Sequence, residues 1–211
     1  MRRLPVYLLL DTSGSMRGEP IESVKVGLQA MISSLRRDPQ ALESVHISVI
    51  TFDRDVNVVV PLTALEDFNL PQLVTPDSGP THLGLALEEL CRRVDSEVVK
   101  NTGAVKGDWK PMLFVMTDGS PSDALKYKEM IPEVRQRNFA VIVACAAGPK
   151  ARKEDLIPLA DHVLSLDATD SSTFAAFFQY VSDAVSVGGT SMGVVATPPL
   201  PPPPPEVHVV F

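Results

Sequence analysis

The first residues that could do chemistry form a polar string, Asp11-Thr12-Ser13-Gly14-Ser15, which directly follows an apolar run at residues 6–10. This string places a carboxylate and two hydroxyls on alternate residues, at the carboxyl end of a predicted buried strand. Hard oxygen ligands of this kind suit a cation such as Mg²⁺. Because Asp, Ser and Gly are also common in any turn after a strand, the string alone is weak evidence for a metal site.

Two distant segments strengthen the interpretation of that string. Ser78-Gly79-Pro80-Thr81-His82 precedes a helical pattern, and Met116-Thr117-Asp118-Gly119 ends another apolar run. In mostly parallel sheets, ligands bind outside the carboxyl ends of the strands. We therefore predict one shared metal site, with these ligands: Asp11, Ser13, Ser15, Thr81 and Asp118.

The elements that must position this site follow from hydrophobic periodicity. The apolar runs predict strands at residues 4–10, 45–52, 56–60, 112–117, 139–146 and 162–166. Three- and four-residue spacing predicts helices at residues 19–37, 83–98, 121–138, 153–160 and 173–187. The short link at residues 53–55 predicts an antiparallel hairpin, and the alternation elsewhere predicts an α/β fold with a mostly parallel sheet covered by helices on both faces.

Composition limits the class of protein. The chain has 211 residues, of which 45% are hydrophobic, and a formal charge of −7, which argues against nucleic acid as a partner. Cys91 and Cys145 lie in apolar patterns, so we expect no disulfide scaffold and a reducing compartment. Pro5 and Asp11 interrupt the apolar amino terminus, and no run reaches the ~20 residues of a membrane span. These features predict a soluble, cytoplasmic protein.

We predict two regions, a folded domain at residues 1–187 and a Gly/Pro-rich tail at residues 188–211. The composition changes after Gly188-Gly189, and a run of prolines at residues 201–205 favours a polyproline helix. Three interpretations of the tail are open: a stiff spacer with a frayed end, an arm that docks on a partner, or a segment added to a sheet edge.

The five predicted ligands resemble, in order and context, the metal-ion-dependent adhesion site (MIDAS) of von Willebrand factor type A (VWA) domains, and the resemblance covers residues 4–187. The chain is also similar to TerY-type proteins of bacterial tellurium-resistance operons. That similarity rests on the opening MRRLPVYLLLDTSGSMRGEPIESV, the segments PDSGPTHLGLALE and DWKPMLFVMTDGSPSD, and the tail ending in PPPPPEVHVVF.

The resemblance implies a Rossmann-like, doubly wound sheet of six strands with the hairpin strand at one antiparallel edge. It also implies a divalent cation, usually Mg²⁺, with Mn²⁺ or Ca²⁺ as alternatives. Ser13, Ser15 and sometimes Thr81 would bind the ion through hydroxyls, and Asp11 and Asp118 directly or through water. TerY-type proteins are associated with stress responses to tellurite, phage and colicins, and with neighbouring protein kinases and metal-dependent phosphatases.

Such a site favours binding over catalysis. Neutral hydroxyls leave the ion electrophilic, so a carboxylate from a partner protein is a natural further ligand. Aspartyl phosphatases begin with Asp-x-Asp after their first strand, whereas position 13 is Ser. His82 is the one plausible general base nearby, and it is more simply a solvent-facing residue at a helix start. We predict that the protein is not an enzyme; a metal-dependent hydrolase or phosphatase and a metal-independent interaction scaffold are the alternatives.

Overall fold

The structure is a computed structural model that describes residues 2–102, 106–191 and 200–210. One seven-stranded sheet forms its centre, with the strand order β3-β2-β1-β4-β5-β6-β7. The strands are β1 (Leu4–Asp11), β2 (Val45–Phe52), β3 (Val56–Ala64), β4 (Met112–Thr117), β5 (Val141–Ala147), β6 (His162–Leu166) and β7 (Val207–Val209). The five inner strands run parallel, and the two outer strands, β3 and β7, are antiparallel to their neighbours.

Helices cover both faces of the sheet. They are α1 (Glu19–Leu35), α2 (Pro39–Ser44), α3 (Leu83–Glu97), α4 (Ala124–Gln136), α5 (Lys153–Leu156) and α6 (Ser171–Ser191). Buried side chains of α1 and α6 belong to one hydrophobic core, and those of α3, α4 and α5 belong to the other. Successive side chains of a strand point to opposite faces, so β1 contributes Val6, Leu8 and Leu10 to the first core and Tyr7 and Leu9 to the second.

The predicted fold class is confirmed: an α/β fold with a mostly parallel sheet, an antiparallel edge hairpin and helices on both faces. Strands β2, β4 and β6 have the predicted bounds. β3 extends past Pro61 to Ala64, which is compatible with its position at the sheet edge, since a proline there removes no bond from an inner ladder. The predicted helix at residues 19–37 ends at Leu35, and α2 follows it, capped by the Asp38 carboxylate.

The expected count of six strands is wrong, because β7 pairs with the free edge of β6. Val207 is only 2% exposed and joins the core of α1 and α6. Helix α6 also continues through Gly188 and Gly189 to Ser191, so the predicted boundary between residues 187 and 188 falls inside this helix. Of the three interpretations of the tail, the structure shows the segment added to a sheet edge; part of the tail, residues 192–199, lies outside the described residues.

Both cysteines are buried and free, as the sequence predicts. Among the described residues, no helix has the length and apolar character that a membrane span requires.

Candidate metal centre

Topology brings the two predicted carboxylates together. β1 and β4 are parallel neighbours, and Leu10 of β1 is aligned with Met116 of β4. Asp11 is the last residue of β1, and Asp118 directly follows the end of β4. Both side chains therefore lie at the carboxyl edge in the middle of the sheet, where the sequence placed them.

Hydrogen bonds connect Asp11, the two serines and Asp118. The chain turns sharply after β1 in a 3₁₀ helix, Gly14–Met16. Within this turn the backbone N–H of Ser13 donates to Asp11 Oδ1 at 2.8 Å, and the Ser13 and Ser15 hydroxyl oxygens lie 3.3 Å apart. The Ser15 hydroxyl donates to Asp118 Oδ1 at 2.8 Å. Four of the five predicted ligands thus form one continuous cluster.

Thr81, the fifth predicted ligand, lies just before the start of α3, beside the loop that carries Asp118. Its backbone exchanges two hydrogen bonds with Ser122: Thr81 N–H donates to the Ser122 hydroxyl at 3.0 Å, and Ser122 N–H donates to the Thr81 carbonyl at 2.8 Å. A Cβ atom on Gly119 would lie 3.3 Å from Thr81 Oγ1, so the threonine hydroxyl faces the residue next to Asp118. Thr81 is buried, with 7% of its surface exposed.

A glycine permits the close approach of the serine turn to the Thr81 segment. A Cβ atom on Gly14 would lie 2.7 Å from the Cα atom of Ser78, a distance that real Cβ atoms do not adopt. The glycine between the two serines therefore brings the loop before Thr81 against the turn after β1.

Thr117, which sequence analysis treated only as part of a strand, contacts one of the candidate ligands. Its hydroxyl donates to Asp11 Oδ2 at 2.6 Å, and its oxygen accepts the Gly119 N–H at 3.2 Å. With Ser13 bonded to the other oxygen, both oxygens of the Asp11 carboxylate are held in place. The side chain of Thr117 is fully buried.

Asp123 directly precedes α4, but its side chain caps a different helix. Its two carboxylate oxygens accept the N–H groups of Gly84 and Leu85 in the first turn of α3, at 3.0 and 2.9 Å. The loop that carries Asp118 therefore fixes the amino end of the helix that follows Thr81.

His82, the candidate general base, forms hydrogen bonds with the hairpin between β2 and β3. Its Nδ1 lies 2.9 Å from the carbonyl oxygen of Arg54, and its backbone N–H donates to the Asp53 carbonyl. Thr12 also binds this hairpin, through a 3.0 Å hydrogen bond to the Asp53 carboxylate. The hairpin thus contacts both the polar string at residues 11–15 and the start of α3.

The centre contains buried negative charge. Burial raises the pKa of Asp11 to about 6, although hydrogen bonds from Ser13 and Thr117 oppose that rise. Burial also raises the pKa of Asp118, against the hydrogen bond from Ser15 and the positive charge of Lys150. Within the described part of the chain, neither carboxylate forms an ion pair.

These residues fit a divalent cation. A cation would offset the charge of the two buried carboxylates, and three hydroxyls complete a set of hard oxygen donors. Among the described residues, no group of three or more His, Cys, Asp or Glu side chains is arranged so that it could hold a metal ion. The donor set is therefore rich in hydroxyls, which distinguishes it from the imidazole and thiolate sites typical of zinc.

A doubly wound α/β domain with hydroxyls and carboxylates at the carboxyl edge of its sheet belongs to the class of ligand-binding α/β domains. The sequence model of the von Willebrand factor type A domain matches residues 6–183, and the chain therefore belongs to this family. VWA domains bind a divalent metal at the MIDAS and act as protein-interaction modules.

Curated relatives support this assignment at low identity. The chain is 28% identical to human von Willebrand factor A domain-containing protein 7 over 204 residues, which cover 92% of this chain and 21% of that protein. It is 27% identical to chicken matrilin-3 over 129 residues, covering 59% of this chain and 28% of that protein. The chain thus spans about a quarter of the length of these relatives.

Solved structures share the fold. A von Willebrand factor type A structure from Catenulispora acidiphila has a TM-score of 0.68 at 17% identity, covering 88% of this chain and 43% of that one. Proximal thread matrix protein 1 of the mussel byssus, solved with a zinc-occupied MIDAS motif, has a TM-score of 0.60 at 16% identity, covering 86% of this chain and 48% of that one.

Proposed function

We propose that the protein is a divalent-metal-dependent interaction module that binds an acidic residue of a partner protein through the metal. The observation that carries this proposal is the hydrogen-bonded cluster of Asp11, Ser13, Ser15 and Asp118 beside Thr81, in which two buried carboxylates have no ion-pair partner among the described residues. In this proposal the five residues Asp11, Ser13, Ser15, Thr81 and Asp118 hold the cation, which is Mg²⁺.

When bound, the cation supplies a positive charge at the edge of the sheet to which an external carboxylate can bind. The protein's own residues orient the donors: Thr117 and the Ser13 amide fix Asp11, Ser15 fixes Asp118, and Ser122 fixes Thr81. Because each donor is held before the ion arrives, little conformational entropy remains to be lost on binding.

Binding is favoured over catalysis by two features. Position 13 is a serine, where an aspartyl phosphatase carries a second aspartate, and the ring of His82 is bonded to the Arg54 carbonyl. A hydrolase needs a base or nucleophile directed at a substrate beside the ion, and neither residue supplies one.

The similarity to TerY-type proteins supports a cytoplasmic role in a bacterial stress or tellurium-resistance system. In that setting the partner that supplies the carboxylate is a protein kinase or phosphatase encoded in the same operon. The acidic net charge of −7 fits a protein partner better than nucleic acid.

Metal binding is tested by titrating Mg²⁺ and Mn²⁺ into the wild-type chain, Asp11→Ala and Asp183→Ala in a calorimeter. Asp183 is an exposed carboxylate on α6, which makes it the matched control. We expect binding by the wild type and Asp183→Ala and none by Asp11→Ala. Equal binding by all three would refute the metal site.

Partner binding is tested with the purified kinase or phosphatase of the same operon as the probe. We expect a complex in Mg²⁺ that is lost in EDTA and weakened in Thr81→Ala. A complex that survives both treatments uses another surface. Metal-dependent turnover of a phosphoester substrate that disappears in Asp11→Ala would show that the protein is an enzyme and that the proposed function is wrong.

A further inference from the structure

A cavity of about 470 Å³ opens between α4 and α5, next to the loop that carries Asp118. Its apolar lining comes from Pro121, Ala124, Tyr127, Ile131, Pro132 and Pro158. We call this cavity the α4–α5 groove. Ser120 and Pro121 also line it, and they follow Asp118 and Gly119 directly, so the groove lies next to the proposed metal centre.

The direction and length of the groove follow from α4. Helix α4 begins near the carboxyl edge of the sheet and runs back along it, and its residues 124, 127, 128, 131 and 132 line one side. Eight residues of helix span about 12 Å. An extended peptide rises about 3.3 Å per residue, so about four residues could lie along this wall.

The groove has a defined floor. Tyr127 is buried, and its hydroxyl donates to the Asp155 carbonyl of α5 at 2.8 Å, which ties the two helices together beneath the opening. Close packing of α4 on α3 fixes the other side, because a Cβ atom on Gly84 would lie 2.4 Å from the Tyr127 nitrogen. The opening is therefore a feature of packed elements rather than of a loop.

Charge around the groove favours an acidic occupant. Lys128 and Arg152 line it. Lys150 lies two residues before Arg152, and its charge acts to lower the pKa of Asp118; Lys153 is the first residue of α5. The lining itself is balanced, with its two cations against the carboxylates Glu154 and Asp155, and the exposed Lys150 and Lys153 add positive charge beside it. Within the described residues, Arg152 contacts Asp155 at 3.8 Å, and the three lysines form no ion pair.

We propose that the α4–α5 groove receives an apolar side chain of the partner, within about four residues of the carboxylate that binds the metal, from an extended acidic segment. This inference rests on the proposed function and makes it more specific. The metal selects the carboxylate, the lysines favour an acidic segment, and the groove selects the neighbouring apolar residue.

The test uses phage-displayed peptides with one fixed aspartate between randomised residues, selected on the full chain in Mg²⁺. The variants are Ala124→Arg, which fills the mouth of the groove, Ile131→Gln, which changes its far end, and Val26→Arg, an exposed valine on α1 as the matched control. We expect the wild type and Val26→Arg to enrich peptides with an apolar residue within four positions of the aspartate. In the groove variants that preference should disappear, while peptide binding should still require Mg²⁺.

Affinity measurements then quantify the effect with one enriched peptide and its apolar-to-serine counterpart. Loss of one buried apolar side chain should weaken binding to the wild type about tenfold and to Ala124→Arg less than about twofold. No apolar preference, or an unchanged preference in both groove variants, would overturn the inference.

The outcomes also separate this inference from the proposed function. If apolar peptides bind Asp11→Ala as well as the wild type, but do not bind Ala124→Arg, the groove binds peptides and the proposal of binding through the metal is wrong. If aspartate peptides bind in a metal-dependent way without any preference for an apolar residue, binding through the metal is supported and the role of the groove is wrong. If no peptide is enriched, both are rejected.

Discussion

At the scale of single residues, the centre contains a carboxylate, Asp11, whose charged form is disfavoured by burial. Asp11 is fully buried, and its pKa is raised to about 6 mainly because burial disfavours the charged form. Since the unfolded chain ionises with a pKa near 3.8, the folded state binds a proton more tightly than the unfolded state between these values. The protonated carboxyl therefore stabilises the fold below about pH 4, and this contribution is lost as the pH rises through about 6.

We expect Asp11→Asn to be more stable than the wild type in EDTA at pH 8, by about 3 kcal/mol, because the variant has no charge to bury. The difference should shrink as the pH falls towards 4, where wild-type Asp11 becomes neutral. Thermal unfolding at several pH values measures it. With Mg²⁺ added, the wild type should gain stability and the variant should not; a wild type that is more stable than Asp11→Asn in EDTA at pH 8 would contradict the prediction.

Thr117 offers a second test at this scale. Thr117→Val keeps the shape of the side chain but removes the donor to Asp11 Oδ2, so we expect Mg²⁺ affinity to fall about tenfold. The control is Ser48→Ala, which removes a buried hydroxyl that donates to the Val60 carbonyl, away from the centre. Calorimetric titration compares the two variants, and equal affinities would show that Thr117 does not position Asp11.

The five candidate ligands could be predicted from the sequence because each lies beside a recognisable strand end or helix start. Thr117 could not be distinguished from any other strand threonine. Its role depends on the register between β1 and β4, which places its hydroxyl against Asp11. The role of Asp123 also depends on tertiary structure, because its carboxylate caps α3 across the site and not α4, the helix that follows it.

At the scale of elements, the carboxylate of Asp123 joins the start of α3 to the loop before α4. Both first-turn amides of α3 that it binds would otherwise lack an intrahelical partner. Ser122 of the same loop exchanges hydrogen bonds with Thr81. Hydrogen bonds therefore connect the starts of α3 and α4 to each other and to Thr81 of the candidate metal centre.

We expect Asp123→Ala to cost about 1 kcal/mol of stability and also to weaken Mg²⁺ binding, because the segment that holds Thr81 loses an anchor. Asp38→Ala is the matched control, since Asp38 caps α2 through Gln40 and Ala41. It should cost a similar amount and leave Mg²⁺ affinity unchanged. Chemical denaturation and calorimetric titration of both variants measure the two effects, and an unchanged affinity in Asp123→Ala would contradict the proposed link.

Among the short elements, α2 was not predicted, and the pairing of β7 was only one of three interpretations of the tail. β2, β4 and β6 were predicted with the correct bounds because their apolar runs have clear limits. α2 has six residues, and β7 has three, too few for a periodic pattern. β7 also depends on a property of the whole sheet, the free edge of β6, which no local window of sequence contains.

At the scale of the whole molecule, β7 attaches the carboxyl-terminal segment to the sheet without approaching the metal centre. β5 and β6 separate it from β4. Val207 is buried against the core, whereas Val209 on the same strand is 51% exposed. Substitutions in this strand should therefore change the free energy of unfolding without changing Mg²⁺ affinity.

We expect Val207→Ala to lower the free energy of unfolding by about 2 kcal/mol, since a buried apolar side chain is lost, and to leave Mg²⁺ affinity unchanged. Val209→Ala is the matched control and should change stability by less than about 0.5 kcal/mol. Chemical denaturation measures both variants. A loss below about 0.5 kcal/mol in both variants would show instead that β7 is held by its backbone pairing.

The two outer strands have a further consequence for behaviour in concentrated solution. β3 contains Pro61 and two irregularities in its pairing with β2, and β7 offers only three residues after a run of five prolines. Strands that are short, irregular or interrupted by proline are poor templates for pairing with another molecule. The long, apolar inner strands are thus shielded at both ends of the sheet, which protects the chain against edge-to-edge aggregation into fibres.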